Sequence, residues 1–200
     1  METDKVKNTI KKAARELFRR YGYKKTSVND IAKKAKLAKA TIYKYFESKE
    51  MVLHAILMEY IRESVDELLA KYNKQSDLET YLSETILRVS RLTYTICNEF
   101  LGWDFIREST NTQEYLKTLS DDLEMLLISS FLNNTDISEK IEVERLVFLI
   151  KASKNIVFSF AFTSVSESDV RKNFVSFQKE MLPYLVRATI HWFFFYLIFT

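Results

Sequence analysis

The scarcity of glycine and proline constrains the fold of this chain more than any other feature. Its 200 residues include two glycines, Gly22 and Gly102, and one proline, Pro183. Turns and strand ends in β-proteins draw heavily on both residue types, whereas helix interiors exclude them. A chain of this length can also bury a sizeable core. The sequence therefore predicts an all-α fold with long uninterrupted helices, about nine in number.

Residues 26–50, TSVNDIAKKAKLAKATIYKYFESKE, have the pattern of two short helices separated by a tight turn. Ser27 and Asp30 have the spacing of a capping box, which marks the start of the first helix. The second short helix is predicted over residues 39–46. At 100° per residue, Ile42 and Phe46 lie on one side of it, facing a core.

The opposite side of this second helix has the chemistry to bind a polyanion. It presents Ala40, Thr41 and Lys44, flanked by Tyr43 and Tyr45, and no carboxylate precedes residue 47. Taken alone, such a helix is equally well explained as a solvated surface with two tyrosines anchored by packing. The neighbouring helices at these spacings favour DNA binding.

The charge of the chain is unevenly distributed. Residues 1–50 contain 15 Lys and Arg against 6 Asp and Glu, whereas the remaining 150 contain 15 against 21. A basic segment beside a helix-turn-helix pattern is typical of a nucleic-acid-binding domain attached to an ordinary protein body.

Residues 5–55 resemble the DNA-binding domain of the TetR family of one-component bacterial transcriptional regulators. The resemblance rests on AARELFRRYGYKKTSV, DIAKKA and TIYKYFESKE, which occur in this order. It implies a three-helix helix-turn-helix DNA-binding domain at residues 1–48 and a helical effector-binding and dimerisation domain at 49–200. The expected function is that of a homodimeric repressor, released from a palindromic double-stranded DNA operator by a small hydrophobic or amphipathic effector.

The predicted DNA contacts divide into base-reading and backbone-positioning groups. Thr41 and Lys44, together with Lys39, are expected to reach base edges. The family resemblance assigns a phosphate contact to Lys49, at the start of the fourth helix. The full predicted set is Ser27, Lys36, Lys39, Ala40, Thr41, Tyr43, Lys44, Tyr45 and Lys49.

Two residues of the turn depart from the family pattern. Lys36 stands where a glycine is usual, and Ala38 stands where a serine or threonine is usual. A lysine in a left-handed conformation costs about 1–2 kcal/mol, and an alanine N-cap gives up about 1 kcal/mol more. The turn is therefore expected to be either reshaped or held by the packing of Leu37.

The rest of the chain predicts a fourth helix extending to about residue 72, followed by helices at 78–92, 98–107, 111–132, 138–163 and 166–199, the last kinked or divided at Pro183. Aromatic residues at helical spacing usually belong to a core. Because the family resemblance implies an effector cavity, some are expected to line it with nearby polar groups. The predicted ligand residues are Tyr94, Asn98, Trp103, Arg107, Phe148, Asn155, Phe158 and Phe162.

Two apolar stripes, in the helices at 138–163 and 166–199, exceed what one chain can bury and predict pairing of two copies. The terminal IHWFFFYLIFT is shorter than the roughly 20 apolar residues of a membrane span, and Arg187 precedes it. We expect it to pack in the dimer or the core, with no membrane insertion.

The sequence also argues against an enzyme and predicts neither a cofactor nor a metal. His54, His191 and Cys97 cannot assemble a zinc cluster within one chain, and the two glycines are too far apart for a phosphate-binding loop. A single cysteine and an N-terminus without an apolar segment indicate the cytoplasm. The alternative is a protein of the same fold that acts through a protein partner, as a co-activator or DNA-organising factor.

Overall fold

A computed structural model of the chain describes residues 2–71, 77–96, 110–164 and 166–190. Within these residues the regular structure is helical and no strand occurs, which confirms the all-α prediction. The helices are α1 (Glu2–Tyr21), α2 (Val28–Ala35), α3 (Lys39–Tyr45), α4 (Lys49–Leu69), α5 (Leu78–Ile96), α6 (Thr110–Leu132), the single turn α7 (Thr135–Ser138), α8 (Val143–Thr163), α9 (Glu167–Ser176) and α10 (Leu182–Ile190). The helix predicted at 98–107 and the apolar residues 191–200 lie outside the described residues.

The chain forms two compact units. The first unit comprises Met1–Ile61 and Thr93–Leu119, and the second comprises Arg62–Leu92 and Ser120–Thr200. Helices α4, α5 and α6 contribute residues to both units. The predicted domain boundary at residue 48 separates a DNA-binding part from an effector-binding and dimerisation part, and it stays a prediction.

The first unit is built on a small apolar core beneath its basic surface. Helix α1 contributes Ile10, Ala14 and Phe18, α2 contributes Ile31, and all four side chains are completely buried. Helix α1 ends at Gly22, whose φ of 81° lies in the left-handed region that glycine enters without strain. The Gly22 amide donates to the Phe18 carbonyl over 2.8 Å, which closes the last turn of α1.

The second unit has a larger core formed by several helices. Its completely buried side chains include Leu82 of α5, Phe131 of α6 and Leu149 of α8. Ion pairs also join α6 to α8, where Lys154 Nζ lies 2.6 Å from a carboxylate oxygen of Glu124 and 3.3 Å from one of Asp121. This unit therefore combines an extensive apolar core with a half-buried charged network.

The predicted discontinuity near Pro183 takes the form of a π-helical turn. Residues Phe177–Met181 are π-helical, and the Leu182 amide donates to the Phe177 carbonyl, five residues back. Proline has no amide hydrogen, and its ring clashes with the carbonyl four residues before it. A widened turn directly before Pro183 accommodates the ring, because the hydrogen bonding has already shifted from the α pattern.

The helix predicted over 138–163 begins later than expected. Helix α8 starts at Val143, after a separate turn at Thr135–Ser138. Both Ile137 and Ile141 are buried. Burial of these two side chains is compatible with a break between α7 and α8, whereas apolar periodicity alone predicted one continuous helix. Helix α4 likewise ends at Leu69 rather than near residue 72.

Among the helices of the described segments, none is both long enough and apolar enough to cross a bilayer.

Candidate nucleic-acid interface

The turn between α2 and α3 keeps a left-handed geometry although a lysine occupies it. Lys36 has φ 56° and ψ 42°, and its amide donates to the Lys33 carbonyl over 3.2 Å. The amide of Leu37 donates to the Ala32 carbonyl over 3.0 Å. These two bonds satisfy carbonyls at the end of α2 and offset the strain of roughly 1–2 kcal/mol that a non-glycine residue incurs. The turn is therefore not reshaped.

Helix α2 begins at the predicted capping box. Ser27 Oγ accepts from the Asp30 amide over 3.2 Å, and Asp30 Oδ2 accepts from the Ser27 amide over 2.9 Å. The Ser27 hydroxyl also donates to Asp30 Oδ2 over 2.6 Å, and these bonds lower the pKa of the Asp30 carboxyl. The serine is exposed, so its side chain remains at the protein surface.

Helix α3 is short and is anchored from one side. Ile42 and Phe46 are buried beneath it, and the Phe46 amide closes the helix onto the Ile42 carbonyl over 2.9 Å. At the other end, Ala38 makes no side-chain capping bond. The helix is one residue shorter than predicted, because Phe46 adopts an extended conformation as its C-cap.

The outer side of α3 is cationic. Lys39, Ala40, Tyr43 and Lys44 are exposed, and Thr41 is half-buried. Lys39 Nζ lies 5.7 Å from the centroid of the Tyr43 ring. Lys44 Nζ lies 5.9 Å from the ring of Tyr45, which is half-buried. Exposed cation–π contacts of this kind contribute about 0.5–1 kcal/mol each and bias the lysines toward the rings.

Lys49 lies at the first position of α4, but its ammonium group is bonded inside the protein. Nζ donates to the Tyr23 carbonyl over 2.9 Å and to the Thr26 carbonyl over 3.0 Å. It also lies 4.0 Å from the centroid of the Tyr23 ring. Burial lowers the pKa of Lys49, although the neighbouring carboxylate of Glu50 opposes this shift. The lysine therefore contacts the turn between α1 and α2.

Glu50 contacts the same turn through the side chain of Tyr23. The Tyr23 hydroxyl donates to Glu50 Oε1, and the tyrosine is almost entirely buried. Burial and this acceptor carboxylate raise the pKa of Tyr23 well above its usual value. Burial alone would raise the pKa of Glu50, but bonds from Tyr23, its own amide and Ser48, together with the charge of Lys49, bring it below the ordinary 4.5.

One helical turn further along α4, His54 contacts α6. The imidazole and the Tyr115 ring meet edge to face, with 6.0 Å between their centroids. Both residues belong to the first unit. The sequence reasoning did not identify Tyr23, Thr26, Glu50 or Tyr115. The tyrosine directly after Gly22 is the only local signal, since the contacting residues are far apart along the chain.

The predicted ligand residues are not gathered into one described cavity. Tyr94 and Phe158 are half-buried, whereas Phe148 and Asn155 are exposed. Asn98, Trp103 and Arg107, and the side chain of Phe162, lie outside the described residues. A cavity of about 330 Å³ in the second unit is lined instead by Ser138, Glu139, Lys140, Ile141, Glu142, Val143, Arg145, Thr189 and Ile190. Within the part of the chain that the structure describes, no cluster of metal-binding side chains occurs.

Comparison with known proteins identifies a family for the N-terminal part of the chain. The family model described as "Bacterial regulatory proteins, tetR family" matches residues 10–56, which contain α2, the turn and α3. The "Uncharacterized HTH-type transcriptional regulator YvdT" of Bacillus subtilis is 26% identical over 187 residues, covering 90% of this chain and 92% of that protein. The match to the TetR family therefore concerns residues 10–56, and the relative that spans most of the chain is named as a transcriptional regulator.

Solved structures share the fold of this chain. The TetR family repressor AlkX of Dietzia sp. superimposes with a TM-score of 0.59 at 17% identity, covering 90% of this chain and 94% of AlkX. RolR in complex with resorcinol also gives a TM-score of 0.59, at 14% identity and with 94% and 96% of the two chains covered. At these identities the likeness concerns the fold alone.

Proposed function

We propose that this TetR-family regulator is a homodimeric repressor that binds a palindromic DNA operator through α3 and leaves it when a small effector binds. The observation that carries the proposal is the exposed cationic side of α3, set on a buried apolar side. A helix held in this way can enter a major groove without losing its packing.

Two groups of side chains have different roles in this proposal. Thr41 and Lys44, with Lys39, read base edges, while Ser27, Tyr43 and Tyr45 contact the phosphate backbone. Lys36 adds positive charge near the DNA surface. Ala40 is small enough to let the backbone of α3 approach the bases closely. Lysine contacts with phosphate release counterions, so binding of this kind weakens steeply with added salt.

Exposed apolar side chains in the second unit support dimerisation. Val143 and Phe148 of α8, Met181 and Tyr184 are all more than two-fifths exposed in the single chain. A second copy related by a two-fold axis would cover such residues. The same axis would present two α3 helices to one duplex, at sites about 34–36 Å apart.

An effector completes the proposal. RolR, which has the same fold, binds resorcinol, and AlkX is a repressor. For this chain we propose a hydrophobic or amphipathic small molecule. It releases DNA only if it binds the non-DNA conformation more tightly than the DNA-binding one. A coupling of about 1–3 kcal/mol, or 5- to 150-fold in operator affinity, is typical.

Helix α4 is our candidate for transmitting the effector signal. It begins with Lys49 and Glu50, which hold the α1–α2 turn, and continues through His54, which contacts α6. A shift of α4 along or across its axis would therefore change the support of the DNA-binding helices.

Selection of bound duplexes from a random pool tests this function directly. The expected result is a short near-palindrome, protected from cleavage over two adjacent helical turns. Repeating the selection with a panel of lipophilic compounds should then identify ligands that release it. Recovery of no preferred sequence would contradict the repressor proposal and favour a protein that acts through a protein partner.

A further inference from the structure

We propose that Lys49 is a positioning residue which, together with Glu50, clamps the turn between α1 and α2 and thereby fixes the end of α2 that carries Ser27. This proposal rests on the proposed DNA-binding function. It differs from the phosphate contact that the family resemblance implies, because the ammonium group is bonded within the protein.

The contacts of the ammonium group carry the first step. A lysine has three N–H donors, and two of those on Lys49 reach the carbonyls of Tyr23 and Thr26 over 2.9 and 3.0 Å. The Tyr23 ring lies 4.0 Å below the same nitrogen. These two carbonyls lie between helices and accept no intrahelical hydrogen bond. Hydrogen bonds from a charged ammonium group to such carbonyls are strong and directional. The ammonium is therefore held in place before DNA arrives.

The two carbonyls belong to a compact turn. The Thr26 amide donates to the Tyr23 carbonyl over 3.2 Å, and the Thr26 hydroxyl donates to the Gly22 carbonyl over 2.9 Å. Lys49 adds a third connection across this turn from α4. Because Ser27 follows Thr26 directly and caps α2, the position of the Thr26 carbonyl determines where α2 begins.

Glu50 supplies the second half of the clamp from the adjacent position on α4. Its carboxylate accepts the hydroxyl of Tyr23, whose side chain is 3% exposed. Tyr23 is thus held by its carbonyl, its ring and its hydroxyl, all from the first turn of α4. The clamp does not require DNA, so its existence can be tested on the free protein.

Amide hydrogen exchange of the free regulator, full length and without DNA, is the first experiment. In Lys49→Met, the amides of Thr26, Asp30 and Ile31 should exchange about tenfold faster, since the clamp that holds the turn is lost. Lys44→Met, which removes an equal charge from exposed α3, should leave these amides unchanged. Unchanged exchange in Lys49→Met would overturn the proposal.

Operator binding across a series of salt concentrations is the second experiment. Lys49→Met should weaken binding about tenfold with little change in the salt slope, whereas loss of a phosphate contact lowers the slope by about one unit. A drop of one unit would therefore overturn the positioning role.

Tyr23→Phe tests the clamp without changing any charge, and it keeps the buried ring. It should accelerate exchange at the same amides, weaken operator binding and leave the salt slope unchanged. Normal exchange and normal operator affinity in this variant would overturn the role of Glu50. If the unsubstituted protein binds no operator at all, the proposed function fails, yet the exchange results still decide whether the clamp exists.

Discussion

The two units of the molecule leave different kinds of side chain at the surface. In the described part of the first unit, the large exposed hydrophobic residues are Tyr21, Tyr43, Met51 and Tyr60. In the described part of the second unit they are Met125, Val143, Phe148, Val175, Met181 and Tyr184. Tyrosine offers a hydroxyl to water or phosphate, whereas valine, methionine and phenylalanine offer none. Three of the four residues in the first unit are tyrosines, against one of the six in the second. We therefore expect the first unit to meet a polar partner and the second an apolar one.

Among variants that test the contrast between the two units, truncation of a buried core side chain should have the largest effect on stability. Phe18 is completely buried in the first unit, so Phe18→Ala should lower the free energy of unfolding by about 3–5 kcal/mol. Phe148→Ala is the matched change at a side chain that is 51% exposed. Its effect should depend on protein concentration, because a dimer is stabilised by association. Denaturant titrations at two protein concentrations measure both effects. A concentration-independent loss of 3 kcal/mol or more for Phe148→Ala would show that the residue belongs to a core.

Introducing a charge on the apolar surface should weaken dimerisation. Tyr184 is 72% exposed in the single chain, and we expect Tyr184→Glu to weaken self-association by about 2 kcal/mol, the scale of an interface hot spot. Sedimentation velocity over a dilution series measures the shift. Glu substitution at Tyr21, an exposed tyrosine of the first unit, is the control and should leave association unchanged. Equal behaviour of the two variants would remove the distinction between the surfaces.

Relief of strain in the α2–α3 turn should give an intermediate effect of opposite sign. Lys36 is the positive-φ residue other than glycine among the described residues, and Lys36→Gly should raise the free energy of unfolding by about 1 kcal/mol. The same change removes an exposed charge, so operator binding should weaken while stability improves. Thermal unfolding and operator binding of one variant check both signs. A loss of stability would show that the lysine side chain makes a net favourable contribution.

Removing the Glu50 carboxylate, which accepts the Tyr23 hydroxyl, should have the smallest effect on stability, and this effect should be visible at acid pH. The pKa of Glu50 in the folded protein lies below its ordinary 4.5. A carboxyl with a lowered pKa stabilises the fold above its unfolded pKa and loses that contribution as the pH falls through the folded value. Glu50→Gln should therefore lose less stability than the unsubstituted protein when the pH drops below about 4.5. Melting temperatures between pH 7 and pH 3 provide the comparison, and parallel curves would contradict the assignment.

The helix-turn-helix could be predicted from sequence because its signals are local. The capping box joins residues three positions apart, and the two sides of α3 follow from its helical period. Lys36 adopts a left-handed conformation, which glycine enters more readily, since the hydrogen bonds of the turn depend on the backbone. The sequence could not show whether the strain would be accepted, because that depends on packing around the turn.

The clamp and the later helix boundaries could not be predicted in this way. Lys49 lies 23 and 26 residues from the carbonyls that it contacts. Helical periodicity relates residues three or four positions apart, so it gives no information about contacts at such separations. The break before α8 places two buried isoleucines on either side of a turn, and the π-helical turn precedes the proline that favours it. Each of these features reflects a tertiary contact or a backbone rearrangement rather than a repeating pattern.

The role of α3 as the DNA-reading element is tested most directly by the affinity of Lys44→Ala for the selected operator and for random duplex of the same length. Lys44 is exposed and takes no part in the hydrogen bonds of the clamp, so the fold should be unaffected. We predict a loss of about 1–3 kcal/mol on the operator and a clearly smaller loss on random DNA. Equal losses on the two duplexes, or no loss on either, would contradict the claim that this surface reads bases.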